Sequence, residues 1–233
     1  MPQKPKPGVY SVHDIIEALR TAASPARLAE NLRVGISAGT AFGVSVPNIR
    51  ALARRVGWDA QLAEMVWETG VHEARQLAPM IADPAAVPEA VLEKWVTEID
   101  AWDICDGFAD FIAASPFGCT KAVEWAGRDE EFARRAAFAT IASIARHDKH
   151  ASDDDFAPLL ELIREAALDD RNFVKKAVNW ALRSIGKRNL ALNELAIACA
   201  LQIQAGGSRS GKWIAADALR ELRSASVQDR IRR

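Results

Sequence analysis

The sequence predicts an all-α fold of stacked helix pairs, and three observations predict it. Apolar residues recur with helical period along almost the whole chain, and no segment alternates as a strand does. Breaking residues fall at regular intervals: Pro47, Gly70, Pro84, Pro88, Pro116–Gly118, Gly127, 153–155, 169–170 and 206–211. Two segments also look like copies of one another. FARRAAFATIASIA (132–145) and FVKKAVNWALRSIG (173–186) each run from an aromatic through a basic pair into small and aliphatic residues.

These breaks divide the chain into about a dozen helices of ordinary length. A chain of 233 residues, 49% of them hydrophobic, buries a substantial core. The two copies lie roughly 40 residues apart, the period of HEAT-type repeats with two helices each, and VHEARQLAPMIA (71–82) is a fainter third. Such arrays stack antiparallel helix pairs into a curved solenoid, whose concave side commonly takes a long ligand. Chance likeness between amphipathic helices is the competing explanation. The expected organisation is a flexible N-terminal tail (1–9), one solenoid domain (10–225) and a basic C-terminal tail (226–233).

No apolar stretch reaches the length of a membrane span, and MPQKPKPGVY lacks the apolar core of a signal peptide. Cys105, Cys119 and Cys199 form neither a metal-ligand pattern nor an even disulfide set. A soluble, reduced, cytoplasmic protein is expected. The histidines (His13, His72, His147, His150) have no ligand spacing, so neither metal nor organic cofactor is expected. The net charge is −1, but acidic residues gather at 153–155 and 169–170, and the balance turns basic from Arg171. A neutral total leaves nucleic-acid binding open, because the field that matters is local.

Two tryptophans point away from the stripes that should face the core. In 100–114, Ile104, Phe108, Phe111 and Ile112 form the apolar stripe, while Trp102 and Asp106 project together on the other side. Asp100 is expected to cap this helix, with Asp103 in its first turn. In 173–188 the stripe is Val174, Val178, Ala181, Leu182 and Ile185; Trp180 lies opposite, flanked by Lys176, Arg183 and Lys187. Trp102 could equally fill a gap between repeats, and Asp106 could be an ordinary surface carboxylate. The repeat alignment sets Arg135 on Lys176. Helical projection turns Arg135 away from Phe138, Ile141 and Ile144 and leaves Arg134 nearer them, so Arg135 is expected as a cation open to a phosphate. Its alternative is a solvated helix face. Phe108, Phe111, Trp125 and Cys105 are expected in the core. GGSRSGKW (206–213) imitates a phosphate loop, but Trp213 stands where Ser or Thr is required and no strand precedes it; an interhelical loop is the expectation.

Trp102-Asp103-Ile104-Cys105-Asp106 resembles the Trp-Asp-x-x-Asp motif of the AlkD-type DNA alkylation-repair glycosylases. Phe173 to Arg183 resembles that family's second Trp motif, and Phe132-Ala133-Arg134-Arg135 its aromatic-x-Arg-Arg element. The likeness extends over about 10–220 and includes Phe42-Gly43-Val44-Ser45-Val46-Pro47. This chain carries Ala101 where many members have another aromatic, and Cys105 where an aliphatic residue is usual.

The resemblance implies a HEAT-like solenoid with DNA along a concave cationic face. The implied activity is hydrolysis of the N-glycosidic bond of N3- or N7-alkylated purines in duplex DNA. Asp106 is the implied catalytic carboxylate, with Trp102 and Trp180 as functional aromatics and Arg135 or Arg134 contacting DNA. Lys175, Lys176, Arg183, Lys187 and Arg188 would add salt-sensitive phosphate contacts. Alkylation makes the base cationic, hence a good leaving group, and the sugar develops oxocarbenium character that a carboxylate stabilises. A monomer acting on double-stranded DNA, associated with the nucleoid when bound, is expected. Two rival readings remain: a non-catalytic binder of distorted or branched DNA, and a HEAT-type protein-binding adaptor with the tryptophans as anchors.

Overall fold

The computed structural model describes residues 10–33, 35–36 and 39–232. The expected tail at 1–9 lies outside them. Fourteen α-helices and one short 3₁₀ turn occur among the described residues, with no strand. Between Phe111 and Ile112 the chain divides into two compact units where the sequence reading has one.

In the first unit the helices are α1 (Val12–Thr21), α2 (Pro25–Arg33), α3 (Val46–Val56), α4 (Ala60–Glu68), α5 (His72–Ile81), α6 (Glu89–Glu98) and most of α7 (Trp102–Ala113). Their starts are fixed chemically. Ser11 and Asp14 make a reciprocal capping box, Ser45 accepts from the Asn48 amide, and Asp59 accepts from the Leu62 amide. Trp67 of α4 and Trp95 of α6 stack with ring centroids 4.6 Å apart, and Phe108 of α7 lies 6.3 Å from each. This aromatic cluster is the centre of the core, and offset stacking of this kind adds about 0.5–1.5 kcal/mol to the burial itself.

The second unit contains α8 (Gly118–Ala126), α9 (Glu131–His147), the 3₁₀ turn Asp153–Phe156, α10 (Ala157–Ala166), α11 (Asn172–Ile185), α12 (Leu190–Ala205), α13 (Arg209–Leu222) and α14 (Ala225–Ile231). Helices α9, α11 and α13 pack in one layer, with α8, α10 and α12 in a second. Phe132 and Phe173, equivalent positions of the two sequence copies, meet with ring centroids 5.3 Å apart. The repeat inferred from sequence is therefore a physical repeat. Gly186 lets α11 close on its neighbours, since a Cβ there would come within 2.8 Å of the Ala196 methyl group.

Two boundary expectations change. The segment expected as a tail from 226 is helical: Ser224 caps α14 by accepting from the Val227 amide, and Val227 is buried. The charges of its last residues hide that apolar anchor. The phosphate-loop mimic is the start of α13, with Ser208 capping it by accepting from the Gly211 amide.

Candidate functional site

In the first unit, α7 carries the first motif. Ile104, Cys105, Phe108, Phe111 and Ile112 are buried, whereas Trp102 and Asp106 are half-buried on the opposite face. The helix begins at Trp102, so Asp100 precedes the cap position and lies instead 4.0 Å from the Arg75 guanidinium. What anchors this end is Asp103. Its Oδ2 accepts from Gln76 Nε2 at 2.7 Å and lies 2.9 Å from His72 Nε2, both on α5. Burial disfavours the charged imidazole, but the Asp103 hydrogen bond and the charges of Asp103, Glu73 and Asp100 outweigh it and raise the His72 pKa above 6.5. His72 and Gln76 thus hold the first turn of α7, and with it Trp102 and Asp106 one turn further.

A second anchor lies next to it in sequence. Glu73 is 1% exposed, and its Oε1 accepts from the Phe42, Gly43 and Val44 amides at 3.0, 2.7 and 3.1 Å. Gly43 has φ +77, and a Cβ there would lie 2.4 Å from the Ser24 carbonyl oxygen. Only glycine allows the chain to wrap its amides around a carboxylate in this way. The segment that resembles the family near the start of the chain is thereby pinned to α5.

In the second unit, Trp180 is half-buried on α11 while Val174, Val178, Ala181, Leu182 and Ile185 are fully buried, as the helical projection predicts. The Arg146 guanidinium lies over the Trp180 ring, 5.4 Å from its centroid. The basic pair of α9 behaves otherwise than expected. Arg135 is 5% exposed and donates to the Phe173 carbonyl at 2.9 Å, with its guanidinium 6.0 Å from the Phe173 ring centroid. Arg134 is the more exposed of the two, 3.6 Å from Asp169. The cause is the position of α9: it packs against both α8 and α11, so nearly every residue from Ala133 to Ala145 is buried. One apolar stripe does not describe a helix packed on two sides.

The remaining cations expected to meet phosphate are differently placed. Lys176 is exposed, and Lys175 lies 5.6 Å from the Trp213 ring centroid. Arg183 and Lys187 both bind Glu221 of α13, the lysine at 2.6 Å, and Arg183 also approaches Asp217 at 3.6 Å. Burial pushes the Glu221 carboxyl upward, yet its bonds to Lys187 and Arg183 bring it below the ordinary value. Arg188 is structural: it donates to the carbonyls of Ala145 in the last turn of α9 and of Asp148 and Ala151 just beyond it, and covers the Phe156 ring. Sequence reasoning missed His72, Gln76, Glu73 and Arg146. The last had a usable signal, because the repeat alignment sets Arg146 on Lys187.

Among the described residues no group of His, Cys, Asp and Glu could hold a metal ion, and no helix is long and apolar enough to cross a membrane.

The layered pairs define an all-α protein of HEAT-like repeats. A solved structure described as "A new family of proteins related to the HEAT-like repeat DNA glycosylases with affinity for branched DNA structures" has this fold. It superimposes with a TM-score of 0.77 at 18% identity, over 91% of this chain and 95% of that one. The sequence matches the model of the DNA alkylation repair enzyme family along residues 15–222, and the chain belongs to that family. Comparison with curated protein sequences returns no match.

Proposed function

We propose that this protein is a DNA glycosylase that releases N3- and N7-alkylated purines from duplex DNA. The observation that carries the reading is that Trp102 and Asp106 share the half-buried face of α7, whose first turn is fastened by His72 and Gln76. A half-buried tryptophan and a carboxylate one helical turn apart offer a flat ring face and a fixed negative charge to the same ligand.

The chemistry needs little else. An alkylated purine carries its own positive charge, so it departs without a general acid. The C1′–N bond breaks with its electron pair going to the base, which leaves neutral. The sugar becomes cationic, and the Asp106 carboxylate stabilises that cation and aligns or deprotonates the attacking water. Water oxygen bonds to C1′, and the product is an abasic site. Trp102 supplies an aromatic face that favours a developing cation, and Trp180, in the second unit, offers an aromatic face to DNA. Arg134, Lys175 and Lys176 supply phosphate contacts. Arg135 acts chiefly by holding α11 through the Phe173 carbonyl, while Arg183 and Lys187 reach phosphate only in competition with Glu221.

A second reading is favoured by the structural neighbour, which is described as having affinity for branched DNA. In it the same surface binds distorted or branched DNA and Asp106 performs no chemistry. Release of 7-methylguanine or 3-methyladenine from methylated duplex, wild type against Asp106→Asn, separates the two. Asp106-dependent release is the expected result. Salt-sensitive binding without any free base would replace the first reading by the second.

A further inference from the structure

In the second unit a cavity of about 480 Å³ opens where the C-terminal ends of α9 and α11 meet α14. Its lining includes five cations, Arg146, Lys149, Lys187, Arg188 and Arg230, and no carboxylate among the described residues. In a chain of net charge −1, such a concentration of one sign needs an explanation. A cleft walled by like charges focuses the field and raises the local concentration of the opposite ion.

The five are not equivalent. Arg188 is committed to carbonyls at and just beyond the end of α9, and Lys187 is shared with Glu221. Among the described residues, Lys149 Nζ reaches only the Arg146 carbonyl, at 3.3 Å. Arg146 donates to the neighbouring His147 ring and lies on Trp180, so it meets no carboxylate there. Arg230 extends exposed from the last turn of α14. Ser184 also lines the cavity, 2% exposed and with its Oγ shut off from solvent.

We propose that this cavity binds a phosphate monoester dianion, the terminal phosphate of a DNA strand. Arg146, Lys149 and Arg230 bind its oxygens. A terminal phosphate offers three free oxygens and two charges to these cations, whereas a phosphodiester within a continuing strand offers two free oxygens and one charge. The volume lies within the range of small-ligand sites and leaves room for the terminal sugar beside the phosphate. The strand as source rests on the DNA reading above; the dianion site does not.

Two duplexes of one sequence, with phosphate or hydroxyl at every end, test this at fixed salt, together with the melting temperature in inorganic phosphate against chloride at matched ionic strength. The phosphorylated duplex should bind about tenfold more tightly, the worth of about 1.4 kcal/mol. Arg230→Ala and Lys149→Ala, both exposed and safe for folding, should each erase most of that preference. Stabilisation by inorganic phosphate that Arg230→Ala abolishes, with no preference between duplexes, assigns the same cavity to the free ion. Equal binding of the duplexes with no specific phosphate stabilisation overturns the site. Base release from methylated DNA is measured separately, so failure of the glycosylase reading is distinguishable from failure of this one.

Discussion

Replacing Glu73 by Gln is expected to loosen the Phe42–Val44 wrap far more than its conservative size suggests. The carboxylate is almost entirely buried and serves three backbone donors, with Oε1 accepting from Phe42, Gly43 and Val44 and Oε2 accepting again from Phe42 at 2.9 Å. A glutamine oxygen placed at Oε1 keeps those contacts but loses their charge assistance, about 1 kcal/mol for each donor. Its amide group then faces the Phe42 N–H, donor against donor, for about another kcal/mol. With partial relaxation the expected loss is about 2–4 kcal/mol, a large share of an ordinary folding stability. Urea unfolding followed by the buried Trp67 measures it, and hydrogen exchange at the Phe42–Val44 amides localises it. A loss below about 1 kcal/mol with those amides still protected would refute the reasoning.

The raised His72 pKa sets a pH dependence. The charged His72–Asp103 pair contributes in full below the ordinary histidine value of 6.5, and its contribution disappears as pH rises through the higher folded-state value. The stability gap between wild type and His72→Gln, from urea midpoints, should therefore be larger at about pH 6 than at about pH 9; an equal gap would contradict it. Gly186→Ala places a methyl group 2.8 Å from the Ala196 Cβ, which has no rotamer to swing away, and from the more adjustable Leu222. The expected cost is about 1–3 kcal/mol and a melting temperature lower by several degrees. An unchanged melting temperature would show that α11 and α12 can separate freely.

The faces of α7 and α11 were legible in sequence because each buries one continuous stripe, so a single helical projection sorts Trp102, Asp106 and Trp180 from the core. The same projection inverted Arg134 and Arg135, because α9 is packed on two sides and its many alanines leave no polar face to orient it. Partners one repeat away were invisible to local pattern. Glu73 finds Phe42 and His72 finds Asp103 at a separation of 31 residues, while Arg183 finds Glu221 at 38. A run of cations from 175 to 188 looks like a phosphate-binding strip until α13 brings Asp217 and Glu221 against it. The division between Phe111 and Ile112 falls inside a helix, where no proline, glycine or change in composition marks it.

The central claim is that the Asp106 carboxylate on the half-buried face of α7 performs chemistry. Chromatography of free base from methylated duplex, with wild type and Asp106→Asn compared at equal DNA binding, tests it most directly. The account predicts 7-methylguanine or 3-methyladenine from the wild type and a loss of about a hundredfold or more in the variant, the usual worth of a charge preorganised for a transition state. Equal release from both proteins, or none from either while DNA is bound, would contradict it.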